Sequence, residues 1–339
     1  MRFQRATEEI HMHAFSKCLT AFMAWLLVFP LSAVAQSPSA AGYPSKPVRL
    51  IVPFAAGGGT DIIARLTAEE LFKLWGQPLV VDNRGGSGGT VGTKMATEAV
   101  PDGHTMVLCS LGVSIAPALY EKLSFDPIKD LAPVSLVAQQ PFLYVVLPDL
   151  PVQSMKDLIA MAKAKPGEIR YGSGGVGGSS HMGTELLKVM TGTDMRHIPY
   201  KGTAPALSAM LAGEIHMQLV GVATAVPHLK ARRMKALAVS GGKRSPAVPD
   251  IPTVAESGIA NYVFDVWYGM LFPAGTSPAI TRKVSADINK VLKVPAVGAR
   301  FAALGLEPSG NSPEEFSALL RSEVAKWQKV VKDANISVR

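Results

Sequence analysis

The chain has 339 residues, of which 48% are hydrophobic and 18% charged, with a formal net charge of +8; that is enough apolar material for two domains of ordinary size. The Lys and Arg residues are scattered and form no basic run interleaved with aromatics, which excludes nucleic acid as a partner and fits a small anion. Of the two cysteines, Cys18 falls in the N-terminal leader and Cys109 alone would remain after its removal, so there is no disulfide framework and the core must hold by packing alone.

Arg2, Arg5 and Lys17 precede the apolar run Leu19–Leu31, and Ser32-Ala33-Val34-Ala35-Gln36 follows with an A-x-A cleavage pattern. Residues 1–35 therefore read as a secretory signal peptide, with the mature chain starting at Gln36 in the periplasm. The run contains Pro30, and no later stretch reaches the roughly 18 apolar residues of a membrane helix. After a short lead-in at Ser37–Ser45, the continuous apolar run Val48–Phe54 reads as a strand buried on both faces. Asp61–Trp75 repeats Ile62, Leu66, Leu71 and Leu74 at helical spacing and is ended by Gly76 and Pro78. Strand Leu79–Asp82, helix Gly89–Ala99 and strand Thr105–Cys109 continue the alternation.

A second set runs from strand Leu143–Leu147 through helix Met155–Lys165, strand Ile169–Tyr171, helix His181–Met190 and strand Met195–Ile198. It continues with helix Ala204–Leu211, strand Ile215–Val220, helix Ala225–Arg232 and strand Ala236–Val239. The pattern predicts an α/β fold with parallel sheets covered by helices. Val266–Phe272 reads as a core strand or hinge. Prolines at the first helical position, behind Ser277 and Ser312, open two terminal helices. No long linker separates the sets, so strands near Gln140–Leu147 and Tyr262–Phe272 are expected to cross between two lobes. The first lobe would comprise 43–141 plus 262–339 and the second 142–261.

The chemistry lies in two glycine-rich turns, each leaving a strand and entering a helix: Val48–Asp61 (VRLIVPFAAGGGTD) and Ile169–His181 (IRYGSGGVGGSSH). A helix start has unpaired N–H groups and a partial positive charge, and glycine lets an anion approach the backbone. In the first turn Gly57, Gly58 and Gly59 allow that approach, and Thr60 or Asp61 can cap the helix. Asp61 is either a cap or a receiver of a ligand amine or water. In the second, Gly172, Gly174 and Gly177 have G-x-G-x-x-G spacing, and a dinucleotide site competes with an anion nest. Asp194, about 20 residues on where a ribose-binding acid is expected, stands before its strand rather than after it. Ser179, Ser180 and His181 bring hydroxyls and an imidazole beside the free N–H groups; His181 is either structural or a ligand contact. There is no G-x-S-x-G elbow, Walker A motif or His/Cys metal cluster, so neither metal nor cofactor is expected.

Taken together, Tyr43–Ile51, Pro53–Asp61, Val81–Gly92, Pro117–Tyr120, Tyr171–His181, Pro199–Gly213, Pro227–Ser245, Pro249–Gly258 and Leu306–Ile336 resemble, in order, the periplasmic solute receptors of tripartite tricarboxylate transporters, the TctC or Bug family. The resemblance implies a two-lobed periplasmic-binding-protein fold of type II. Its ligand cleft would lie between the lobes and hold a small carboxylate, without catalysis, in a monomer that serves membrane transporter subunits. Carried over by position, the ligand loops are Phe54–Asp61 and Gly174–His181, including Gly175, with Ser110 and Tyr200 as further candidates. Where many members have M-F-D, this chain has Gln218-Leu219-Val220, which leans toward a plain carboxylate rather than an amino acid. Two alternatives stay open: an exported α/β enzyme for a nucleotide or phosphoryl substrate, and a sensory receptor for a signalling partner.

Overall fold

The computed structural model describes residues 42–333 and Ile336; the expected signal peptide and its expected cleavage point lie outside the described residues. Short apolar runs become strands that helices cover, as the alternation predicts. Strands β1 (Val48–Val52), β2 (Leu79–Asn83) and β3 (Thr105–Ser110) pair in parallel, with β1 in the middle. They are linked by helices α1 (Gly59–Trp75) and α2 (Thr90–Thr97), the latter entered by a 3-10 turn at Ser87–Gly89. Helix α3 (Gly112–Leu119), with Pro117 inside it, follows β3.

The long strand β4 (Leu131–Val146) joins two groups of strands. Its first part, Leu131–Pro141, pairs antiparallel with β9 (Asp265–Pro273), which in turn pairs with β3. From Phe142 onward β4 pairs instead with β7 (Met217–Gly221) and β8 (Lys235–Val239). Beyond β7 lie β5 (Arg170–Ser173) and β6 (Arg196–Pro199), both in parallel register. Helices α4 (Met155–Ala164), α5 (Ser179–Thr191), α6 (Thr203–Leu211) and α7 (Val222–Lys230) fill the connections. The chain returns through β9 into α8 (Pro278–Leu292), α9 (Pro295–Ala303), the short β10 (Glu307–Pro308) against β4, and α10 (Pro313–Asp333).

β4 is longer than the apolar run that announced it because Pro133, Gln139, Gln140 and Pro141 interrupt the hydrophobic pattern. Register shifts at Pro133/Ser135 and Leu136/Ala138 absorb the irregularity. Past it, β4 is buried on both faces: Leu143 and Val145 pack with Leu207, Met210 and Val220, while Tyr144 and Val146 join the larger core. Ser154 and Ser312 cap the helices they precede. Ser154 Oγ accepts from Asp157 N at 3.2 Å, and Ser312 and Glu315 form a reciprocal box through Glu315 N to Ser312 Oγ at 3.1 Å and Ser312 N to Glu315 Oε2 at 2.8 Å. None of the helices among the described residues is long and apolar enough to cross a membrane.

Candidate functional site

Four helices start at one cleft, and each has a glycine where a capping side chain would normally stand. The N-caps are Gly58 for α1, Gly178 for α5, Gly202 for α6 and Gly221 for α7, and none of the four has a side-chain cap hydrogen bond. The cleft is lined by Gly58, Gly59 and Thr60 from the first turn, Gly174, Gly178, Ser179 and Ser180 from the second, and Thr203 and Gly221 from the other two helix starts. Phe54, Phe142, Ser110 and Tyr268 complete the wall. Uncapped first-turn N–H groups and the positive ends of helix dipoles therefore converge on this cleft. No Lys, Arg, His, Asp or Glu is among the residues lining it, so an anion held there is held by backbone and hydroxyl donors.

Several polar groups around the cleft await a partner. Ser179 Oγ and Thr224 Oγ1 are buried and make no hydrogen bond. Tyr268 OH accepts from Gln140 Nε2 at 2.8 Å, and Gln140 Oε1 accepts from Ala223 N at 3.3 Å. Burial pushes the Tyr268 phenol well above its usual range, so it keeps its proton. These groups surround Gly59: a Cβ built there would lie 3.2 Å from Gln140 Nε2, 3.5 Å from Tyr268 OH and 3.7 Å from Thr224 Oγ1. Buried donors without partners cost stability, and a bound oxygen-rich ligand removes that cost.

The first glycine turn touches the loop before α6, and the second touches the Ser87–Gly89 turn and Tyr120. Ala55 N donates to Lys201 O at 3.0 Å, and Tyr120 OH donates to Val176 O at 2.9 Å. A Cβ at Gly88 would meet Val176 O at 2.0 Å, and one at Gly175 would meet Gly88 N at 2.5 Å. Glycine is required at these approaches because the backbones themselves are in contact.

The remaining sequence candidates stand around the cleft rather than in its wall. Gly57 and Gly175 are at φ 82° and 122° and shape the turns. Asp61 turns back on its own loop: it accepts from Gly57 N at 2.9 Å, Asn83 Nδ2 at 3.1 Å and Arg65 Nε at 3.0 Å. Burial opposes its ionisation, but the bonds from Arg65, Gly57 and Asn83 outweigh it and hold the carboxyl below the usual range. His181 is buried and accepts from Gly177 N at 3.1 Å through Nδ1. Tyr200 lies on an outer crevice with Tyr120 and Lys201. Gln218, Leu219 and Val220 are fully buried, and Gln218 Nε2 donates to Thr203 O at 2.9 Å.

Sequence reasoning missed Phe142, Thr203, Gly221 and Thr224, and read Tyr268 as core or hinge. The strand-glycine-helix grammar that marked the first two turns also marks Gly221 and, through Lys201-Gly202-Thr203, the start of α6. Both carry it on single glycines, a weaker signal than a run of three.

Residues 63–336 match the model of the tripartite tricarboxylate transporter family receptor. The chain belongs to that receptor family. It is 34% identical over 324 residues to the protein BugT of Bordetella pertussis, covering 95% of this chain and 99% of BugT. Among solved structures, an R. palustris protein with adipate has a TM-score of 0.84 at 34% identity over 87% of this receptor and 99% of that chain. MatC from Rhodopseudomonas palustris with bound malate has a TM-score of 0.81 at 32% identity, covering 85% of this receptor and all of MatC (100%). The periplasmic binding protein BugD has the same two-lobed architecture, with a TM-score of 0.84 at 34% identity over 88% of this receptor and 100% of BugD.

Proposed function

We propose that this receptor captures a small organic carboxylate in the periplasm and presents it to the membrane subunits of a tripartite tricarboxylate-type transporter. The observation that carries the proposal is the convergence of glycine-capped helix starts on a cleft with no cationic side chain in its wall. Such a site recognises a carboxylate by N–H groups and dipoles. The adipate and malate held by two relatives are of the chemistry it suits. An amino acid suits it less, because no carboxylate lines the cleft to pair with an ammonium group.

In this reading residues 1–35 are the export signal, 43–141 with 262–339 form one lobe, and 142–261 form the other. The lobes close on the ligand as a monomer, without catalysis, and the closed form is what the transporter meets. Each lobe contributes one glycine turn, so a single carboxylate satisfies donors in both only when the cleft is shut, and binding favours the closed state. Mass spectrometry of ligand released from the purified protein, followed by calorimetry with that compound, tests the proposal. A bound mono-, di- or tricarboxylate supports it. A bound nucleotide would favour the exported-enzyme alternative.

A further inference from the structure

The two glycine turns share a feature that the ligand reading does not use. In each, the third residue of the helix reaches back to the amide of the residue before the N-cap. Asp61 Oδ2 accepts from Gly57 N at 2.9 Å, and His181 Nδ1 accepts from Gly177 N at 3.1 Å. Both side chains are buried, 4% exposed in each case, and neither lines the cleft. Both are braced from behind by different chemistry. Asp61 is gripped by Arg65 and Asn83, and Asn83 Nδ2 also donates to Phe54 O at 3.1 Å, tying the turn to β2. His181 stacks on His197 with ring centroids 4.0 Å apart, and His197 stacks on Tyr171 at 4.9 Å.

The His197 end of that stack holds the other side of the second turn. His197 Nε2 lies 2.5 Å from Ser173 Oγ, which also accepts from Gly175 N at 3.1 Å. Because His181 Nδ1 accepts a proton-bearing amide, its own proton must be on Nε2, which faces Glu185 Oε1 at 3.9 Å. Tyr171 OH donates to the same Glu185, and Lys188 Nζ pairs with it at 2.8 Å.

We propose that Asp61 and His181 are the paired positioning residues of this receptor, each fixing its turn through the Gly57 or Gly177 amide so that the ligand-facing N–H groups point into the cleft, and that neither touches the ligand. The proposal deepens the carboxylate-receptor reading and rests on it for the identity of what the turns grip. It also explains an otherwise unfavourable feature: an anionic Asp61 beside an anion site is tolerable when its charge is spent on Gly57, Asn83 and Arg65.

The test separates an acceptor from a bulky filler and from a ligand contact. His181→Asn and Asp61→Asn each keep an acceptor within reach of the turn amide. His181→Phe keeps the ring and its stacking but cannot accept, and Asp61→Leu keeps bulk alone. Affinity for adipate and for malate is measured on all four, with nitrogen-15 spectra of the ligand-free proteins. The asparagine variants are expected to bind within about threefold of the parent, and the Phe and Leu variants at least about tenfold more weakly. The Gly57 and Gly177 amide protons should move upfield only in the latter pair, and His181 of the parent should show the Nε2–H tautomer.

Phe and Leu variants that bind like the parent would overturn the proposal, as would asparagine variants that lose as much as they do. If the parent binds neither dicarboxylate, the carboxylate reading is what fails. The tautomer and the amide shifts still decide the positioning claim: an Nδ1–H tautomer, or amides unmoved in the Phe and Leu variants, refutes it.

Discussion

Replacing Gly88 by Ala tests whether the cleft works by shutting. Gly88 sits in the Ser87–Gly89 turn at φ 63°, and its added Cβ would lie 2.0 Å from Val176 O and 2.9 Å from Gly178 N. Both neighbours are backbone atoms that cannot rotate away. Measured against the 3.4 Å at which ordinary contact begins, the shortfall of about 1.4 Å must be met by moving the second glycine turn away from the Ser87–Gly89 turn. If that displacement carries the start of α5 away from the start of α1, a carboxylate bonded to both at about 2.9 Å cannot keep both sets of bonds. Losing two charge-assisted bonds, at about 1.5–3 kcal/mol each, raises the dissociation constant roughly 10²- to 10⁴-fold.

If the lobes part without ligand, the ligand-free protein pays only the left-handed backbone cost of about 1–2 kcal/mol, a few degrees of melting temperature. Gly213→Ala is the control, since Gly213 is at φ 83° with nothing within 4 Å of an added Cβ. Calorimetry and thermal melts are run on both variants. Equal affinity in the two would refute closure by backbone contact, as would a Gly88→Ala protein that melts far below the control without ligand.

Thr224→Val replaces an unpartnered buried hydroxyl by a methyl of the same shape; ligand-free stability should be unchanged or slightly higher, while affinity falls about 3- to 10-fold, about 0.5–1.5 kcal/mol. Unchanged affinity by calorimetry would remove Thr224 from the site. Acid should weaken the fold through the imidazole pair. Burial is the main cause that lowers His181 to about 4 and His197 to about 3; at His197 the charge of His181 lowers it further and Glu185 opposes, and Lys188 adds to both. Between pH 6.5 and 4 the unfolded chain therefore binds more protons than the folded one, and stability falls as pH falls, by about 1.4 kcal/mol per pH unit for each histidine. Urea unfolding at a series of pH values should show that slope reduced by about one proton in His197→Phe, and an unaltered slope would contradict the buried neutral pair.

The fold was legible wherever burial and periodicity agreed. Val48–Val52 and Thr105–Ser110 are apolar because both faces of their sheet are covered, and α1 is amphipathic between a glycine start and the left-handed Gly76 that ends it. β4 was half-hidden because a strand that passes from one group of partners to another carries Gln139-Gln140-Pro141 where it changes neighbours. α3 was hidden by Pro117 and by the lack of a capping side chain.

At the site, the runs of glycine revealed two of the four helix starts, since consecutive glycines cost backbone entropy that packing does not return. Thr203, Thr224 and Tyr268 could not be found that way. They come to the cleft from three separate elements, and nothing in their local sequence separates a hydroxyl that faces a ligand from one that faces the core. Asp61 and His181 were visible as residues, but whether they face the cleft or their own loops is decided by side-chain rotamers that spacing does not encode.

The central claim is that one carboxylate is held between the start of α1 and the start of α5 by uncapped N–H groups. A crystal structure of the protein with the compound it retains through purification tests this most directly. The account predicts carboxylate oxygens within about 3 Å of N–H groups from both the Gly58–Thr60 and the Gly178–Ser180 segments, with a hydroxyl of Ser179, Thr224 or Tyr268 among the donors. A ligand held by one turn alone, or one whose carboxylate is paired with a Lys or Arg side chain, would contradict it.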